Sequence, residues 1–131
     1  MKYRDITPTM RAFLGTREVL RQMGFAAEDL YCQVEYSVRH PGSLNGFCVL
    51  RTQGLEFSVE LGPVSSREAF AKEYTRMIDA VNTGALSERD LKRMTRESEA
   101  FRGRMNLLAA IIAKGIRPPG PTAEERGETV H

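Results

Sequence analysis

The chain has 131 residues, a length typical of one domain that buries a core without disulfides or metal ions. Its 41% hydrophobic and 27% charged residues lie near the globular average, which excludes an intrinsically disordered chain. The net charge is only +2, with basic residues prevailing over 2–24 and acidic ones over 28–61. This balance indicates a mixed surface rather than one strongly basic face.

No segment resembles a signal peptide or a membrane span. The opening residues contain no long apolar run, and the longest apolar stretch, 107–113, is too short to cross a bilayer. Cys32 and Cys48 fit neither a C-x-x-C motif nor a secreted disulfide scaffold. We therefore predict a soluble, cytoplasmic protein with two buried free thiols.

The first predicted helix covers about 8–23. Thr7 can cap it and Pro8 suits its first position, while Gly24 provides a stop. Gly15 lowers helix propensity, which suggests close packing against a neighbour. One apolar side is predicted to face the core: Met10, Phe13, Leu14, Leu20 and Met23.

Three strands follow, because residues 30–39 and 55–61 alternate apolar with polar and a third apolar run covers 47–52. Gln53-Gly54 is a two-residue turn signal, so the strands are expected to form an antiparallel meander. The second hairpin then pairs Thr52 with Leu55. In the first hairpin, the apolar side chains of both strands lie on the same face of the sheet when Val38 lies opposite Cys48.

This first-hairpin register also makes a prediction about the two thiols. It places Cys32 about six residues, or roughly 20 Å, from the position level with Cys48, so no disulfide between them is expected.

Two further helices are predicted after Gly62-Pro63. Ser65 with Glu68 forms a capping box for the second, whose apolar stripe is Phe70, Tyr74, Met77, Ile78 and Val81. Ser87 caps a third, long helix that runs to about Lys114, with a possible hinge at Gly103. Its heptad-like seam, interrupted at Ser98, comprises Leu91, Met94, Phe101, Met105, Leu108 and Ile112.

The fold class that follows is α+β in the order α-β-β-β-α-α, as one domain over 1–114. Residues 115–131 contain the proline, glycine and charge typical of a flexible tail. The α-β-β-β-α order of 8–82 resembles that of double-stranded-RNA-binding domains. That family opens its second helix with a lysine-rich phosphate clamp, whereas "SSREAFAKE" has Arg67 and Lys72 beside Glu68 and Glu73, which disfavours duplex binding.

Catalytic groups do not converge in this arrangement. Cys48 is expected inside, His40 in a loop and His131 at the end of the chain, so neither a metal site nor a nucleophile-base pair is predicted. The isolated glycines serve turns rather than a phosphate loop. We predict no cofactor, no metal ion and no enzymatic activity.

The preferred functional hypothesis is a non-enzymatic protein-binding module: an adaptor, inhibitor or regulatory subunit. Phe47 and Val49 lie on the sheet face away from the inner core, and a polar rim around an apolar spot is typical of protein interfaces. The predicted rim comprises Glu35, Arg39, Arg51 and Glu60. The third helix completes the inner layer, covers this spot, or pairs with a second copy through its seam.

A nucleic-acid-binding protein is the alternative. It would use basic residues of the first and third helices: Arg11, Arg17, Arg21, Arg89, Lys92, Arg93 and Arg96. Acidic residues are interleaved with those of the third helix, which is more typical of a solvated helix face.

Overall fold

A computed structural model describes residues 2–37, 39–99 and 102–116 of the chain. It confirms the α+β fold and the predicted order of helices and strands. The elements are α1 (Pro8–Gln22), β1 (Leu30–Tyr36), β2 (Leu44–Thr52), β3 (Leu55–Val64), α2 (Arg67–Thr83), α3 (Glu88–Glu99) and α4 (Arg102–Ala113). Short 3-10 turns at Tyr3–Asp5 and Ala27–Asp29 precede α1 and β1.

Helix α1 begins and ends as its sequence predicts. The Thr7 hydroxyl accepts a hydrogen bond from the Met10 N–H at 3.3 Å, and Pro8 occupies the first turn. The predicted apolar residues are buried except Met23, which is 38% exposed. Beyond the helix the chain folds back at Gly24, and Phe25 enters the core in its place, donating its N–H to the Leu20 carbonyl.

Gly15 marks the close approach of α1 and α3. A Cβ built on Gly15 would lie 2.4 Å from the carbonyl oxygen of Met94 and 3.0 Å from the Ser98 hydroxyl. Real Cβ contacts are essentially never shorter than 3.0 Å. The predicted close packing at this glycine is therefore confirmed, and α3 is its partner.

The three strands form an antiparallel sheet in the order β1-β2-β3. Gln53 and Gly54 both have positive φ, 53° and 77°, which matches a tight hairpin turn. The predicted pairing of Thr52 with Leu55 is confirmed and continues through Cys48 with Val59. A bulge near Gly46 then shifts the register, and β3 extends to Val64 rather than ending at Leu61.

The predicted register of the first hairpin is wrong by six residues. Cys48 lies opposite Cys32 instead of Val38, which is outside the described residues. Strand β2 begins at Leu44, because Gly46 is a strand residue rather than a turn residue. A Cβ at Gly46 would lie 3.0 Å from the Thr9 side chain, so glycine allows α1 to cross β2 closely.

Helix α2 packs on the inner face of the sheet through the predicted apolar stripe. Phe70 and Met77 are buried, and Tyr74 lies partly buried against the same core. The cap is Ser66 instead of Ser65, since the Ser66 hydroxyl accepts from the Ala69 N–H at 3.0 Å. Gly84, in the left-handed conformation at φ 76°, ends the helix.

The predicted long third helix is two helices, α3 and α4. The predicted cap of α3 is confirmed, as the Ser87 hydroxyl accepts from the Asp90 N–H at 3.1 Å. The Arg104 guanidinium links the pair by donating to the Thr95 carbonyl at 2.9 Å and the Ser98 hydroxyl at 2.7 Å.

The residues that face the core also differ from the predicted seam. Met94 and Ser98 of α3 are buried as predicted, but α4 buries Leu107 and Ile111, while Leu108 is half-buried and Ile112 is 74% exposed. Leu107 and Ile111 belong to the same core cluster as the inner-face sheet residues, so α4 completes the inner helical layer.

None of the described helices is long and apolar enough to span a membrane. Ile116 packs partly against the core, and its N–H bonds to the Ile111 carbonyl at 3.2 Å. Ordered packing thus reaches two residues beyond the predicted domain boundary. The remaining predicted tail, 117–131, lies outside the described residues.

Candidate protein-binding surfaces

The outer face of the sheet is the side opposite the helices. Four of the six predicted interface residues lie on the β2 and β3 part of this face, as expected: Phe47, Val49, Arg51 and Glu60. Glu35 also lies on this face, opposite Asn45. Arg39 does not, since it is exposed in the loop that follows β1.

The apolar spot on the outer face is smaller than predicted. Val49 lies between Tyr31 and Ser58 and is only 2% exposed. Phe47 is half-buried between Gln33 and Glu60. Neighbouring side chains on the adjoining strands therefore cover much of the apolar surface that a partner would contact.

Polar pairs surround this spot. Arg51 Nε lies 2.6 Å from Glu56 Oε1, and its guanidinium lies over the Tyr31 ring. The hydrogen bond from Arg51 lowers the pKa of Glu56. The predicted register placed Glu35 opposite Arg51. In the observed register Gln33 lies opposite Phe47 and Glu35 opposite Asn45, so neither residue is beside Arg51. Asn45 instead donates to Glu60 across β2 and β3.

A second surface is the outward side of α4, which we define as Ala109, Ala110, Ile112 and Ala113. All of these residues are exposed. No charged residue occurs between Arg104 and Lys114, so this side of the helix lacks the charges that solvate α3. A helix that is apolar on all sides normally has a partner on each side.

The helical seam predicted for a homodimer is not one continuous exposed surface. Met94 is fully buried in the intramolecular core, and Leu91 and Leu108 are half-buried. Phe101 and the side chain of Met105 lie outside the described part of the chain. Of the seam residues whose side chains are described, Ile112 alone is exposed.

The arginines of the nucleic-acid alternative are mostly engaged within the chain. Arg17 is buried, and Arg11 donates to the Ile6 carbonyl at 2.7 Å. Arg11 and Arg93 contact Glu97 at 3.4 and 3.7 Å, and both lie over the Tyr3 ring.

The remaining candidate cations lie on α1 and α3. Arg21 pairs with Glu18, and Lys92 pairs with Glu88. Arg89 and Arg96 are exposed on α3. The structure therefore brings part of the set to α3 but does not gather all of it on one free face.

A cleft of about 790 Å³ lies between the start of α1 and α2. Pro8, Pro63 and Phe70 contribute apolar walls, and Lys72 and Arg76 line it with positive charge. The Thr7 hydroxyl and N–H donate to Glu73 across the cleft. The sequence carries no local signal for this cleft, because it forms only where two distant helices meet.

Cys32 and Cys48 are the two cysteines of the chain. They face each other across β1 and β2 as free thiols, in contrast to the predicted separation of about 20 Å. Burial raises the pKa of Cys48 to about 12. Burial, together with the facing Cys48, raises the pKa of Cys32 as well. Both sites therefore favour the neutral thiol.

We expect thiol labelling at pH 8 to be at least about 100-fold slower in the native protein than in denaturant, because the reactive thiolate is scarce. Burial raises the pKa of Cys48 in the folded protein above its ordinary value of 9.0, so the buried neutral thiol contributes fully to stability below pH 9.0. This contribution is lost as pH rises towards 12. Ellman's reagent with and without guanidinium measures the ratio; equal rates would contradict the buried, neutral thiols.

Among the described residues, no three His, Cys, Asp or Glu side chains are placed to hold a metal ion. Comparison of the chain with protein-family models, with curated proteins and with solved structures gives no match.

Proposed function

We propose that this protein is a non-enzymatic protein-binding module whose partner docks on the outward side of α4. The observation that carries the proposal is the 74% exposure of Ile112 among exposed alanines, on a helix stretch without charge. The alternative surface, the outer sheet face, offers less apolar area because Val49 is buried and Phe47 is half-buried. The sequence predicted the outer sheet face and a seam on the third helix, and of that seam the α4 surface retains Ile112.

The shape of this surface indicates the kind of partner. Alanine side chains allow a helix or strand to approach the α4 backbone closely, and Ile112 can fill a pocket on the partner. Fully burying an isoleucine side chain contributes roughly 1.5–3 kcal/mol, which makes Ile112 the expected centre of the interface.

The test compares Ile112→Asp with Phe47→Asp. The tagged wild-type chain captures its partner from native lysate after nuclease treatment, and mass spectrometry identifies it. The dissociation constants of the purified partner for the three proteins are then measured. We expect Ile112→Asp to weaken binding about 10- to 100-fold, since an apolar anchor becomes a desolvated charge, and Phe47→Asp to change it little.

Thermal unfolding of both variants verifies that they fold. Equal binding by Ile112→Asp and wild type would contradict the α4 surface, and loss of binding by Phe47→Asp alone would assign the outer face. Loss of every partner on nuclease treatment, with affinity that falls steeply as salt rises, would support the nucleic-acid alternative.

A further inference from the structure

Strand β1 leaves one edge of the sheet without a partner. It pairs with β2 on one side, and no described strand pairs with it on the other. The strand at the opposite edge, β3, differs in being in contact with α4. An unpaired edge presents a row of backbone donors and acceptors that another strand can use.

The hydrogen bonds near β1 show which residues direct these groups outward. Ser37 donates its N–H to the Ser43 carbonyl at 2.8 Å, continuing the register of the ladder. Since bonded and non-bonded pairs alternate in an antiparallel ladder, the odd-numbered residues of β1 bond to β2. The even-numbered residues face the free edge. In agreement, the Val34 carbonyl accepts from Arg67 Nη1 at 2.5 Å.

We infer that β1 pairs antiparallel with β1 of a second copy about a two-fold axis at Gln33, joining two sheets into one. This register is the one that pairs all seven residues of Leu30–Tyr36, because Gln33 is the middle residue. It places Cys32 opposite Val34 of the second copy and Leu30 opposite Tyr36 of the second copy. The backbone N–H and C=O groups of these even-numbered residues point away from β2, so they can hydrogen-bond to the second copy.

The side chains complement each other in this register. On the outer face, Tyr31 lies opposite Glu35 of the second copy, where the phenol can donate to the carboxylate. The two Gln33 amides meet at the axis and can donate to each other. The two Glu35 carboxylates lie about 13 Å apart along the strands, so no like charges face each other.

The inner side of the edge is apolar and has exposed surface to bury. Tyr36 is 65% exposed and would lie against Leu30 of the second copy. Helix α2 lies above β1 and, with it, lines a groove of about 250 Å³. Its residues Ala71 and Thr75 there are small and exposed, which leaves room for α2 of the second copy.

Arg67 competes with this pairing in the single chain. Its guanidinium occupies the Val34 carbonyl and lies over the Tyr36 ring, 5.7 Å from the ring centre. In the dimer the Val34 carbonyl accepts from the N–H of Cys32 of the second copy instead of from Arg67. Removing the guanidinium should therefore strengthen the dimer, although it removes a hydrogen bond from the single chain.

The test introduces one cysteine on the axis, as Gln33→Cys, with Glu35→Cys as a matched control on the same face of the same strand. Facing residues of a non-hydrogen-bonded pair have Cα atoms about 4.5 Å apart, within disulfide range. Under mild oxidation, followed by thiol blocking and non-reducing electrophoresis, Gln33→Cys should form a covalent dimer. Glu35→Cys should form at least about tenfold less, because its two copies lie too far apart.

Sedimentation equilibrium of the wild type and of Arg67→Ala completes the test. We expect a concentration-dependent dimer of the 14.7 kDa chain and about tenfold tighter association of Arg67→Ala. A wild type that stays monomeric, or equal cross-linking of both cysteine variants, would overturn the proposal. So would binding of a foreign strand at β1 in place of a second copy.

This inference does not depend on the α4 surface. Cross-linking at position 33 with no effect of Ile112→Asp on partner binding would leave the dimer standing and remove the proposed function. Weaker partner binding by Ile112→Asp with no cross-linking at position 33 would support the proposed function and overturn the dimer.

Discussion

Replacing Gly15 with alanine is expected to lower the free energy of unfolding by about 1–3 kcal/mol, the range typical of overpacked sites. The added methyl carbon would lie 2.4 Å from the Met94 carbonyl oxygen and 2.8 Å from its carbon, so α1 and α3 must separate. The obstacle is backbone, which cannot rotate away as a side chain can. Chemical denaturation followed by circular dichroism measures the change.

The sign of this effect is informative because glycine-to-alanine normally stabilises a helix by up to about 1 kcal/mol. Arg96→Ala provides the control, since Arg96 is exposed on α3 and its loss should change stability by less than about 0.5 kcal/mol. A Gly15→Ala protein as stable as the wild type, or more stable, would show that α1 and α3 are not in close contact.

Replacing Phe13 with alanine should have the largest effect, a loss of about 4 kcal/mol of stability, as expected for a fully buried phenylalanine. Phe13 is completely buried, and its ring lies 5.6 Å from that of Tyr74, centre to centre. The substitution removes apolar burial and leaves a cavity where α1, α2 and the sheet meet. Thermal and chemical unfolding of the purified variant give the magnitude.

Met23→Ala is the matched control for Phe13→Ala, because both residues belong to the predicted apolar side of α1 and only Met23 is exposed. It should cost less than about 1 kcal/mol. Similar losses for the two variants would mean that the end of α1 is packed differently from the structure described here.

Local patterns account for the parts of the fold that were predicted correctly. The Gln53-Gly54 turn connects its strands directly, so the pairing of Thr52 with Leu55 follows from turn geometry alone. The caps at Thr7 and Ser87 likewise depend on hydrogen bonds within a few residues. Alternation of apolar residues in β3, together with this pairing, was enough to assign the faces of β3 and β2.

The first hairpin shows why alternation is insufficient when the loop is longer. A shift of six residues is even, so every side chain of β1 keeps its face and the apolar pattern matches either register. The structure shows that Gly46 is a strand residue in close contact with Thr9 of α1, 37 positions away in the chain, a contact that local patterns do not reveal. This shift brings Cys32 opposite Cys48 and moves Glu35 away from Arg51.

The candidate sites likewise depend on contacts between distant segments, which local patterns do not determine. A partner surface on the third helix was predicted, but which of its residues are exposed depends on the side of α4 that packs against the core. The observed packing buries Leu107 and Ile111 and leaves Ile112 outside. The predicted meander already places β1 at an edge of the sheet, whereas the hydrogen bonds of the observed hairpin show which of its backbone groups face outward.

The sequence by itself determined the kind and order of the elements, the tight turn, and the apolar sides of α1 and α2. These features arise from periodicity, capping and turn preferences that act over a few residues. Tertiary structure alone decided the register of β1, the outward side of α4, the identity of the helix that packs against Gly15 and the role of Gly46. Each of these results from steric contact between segments distant in the chain, and local patterns are equally compatible with several such contacts.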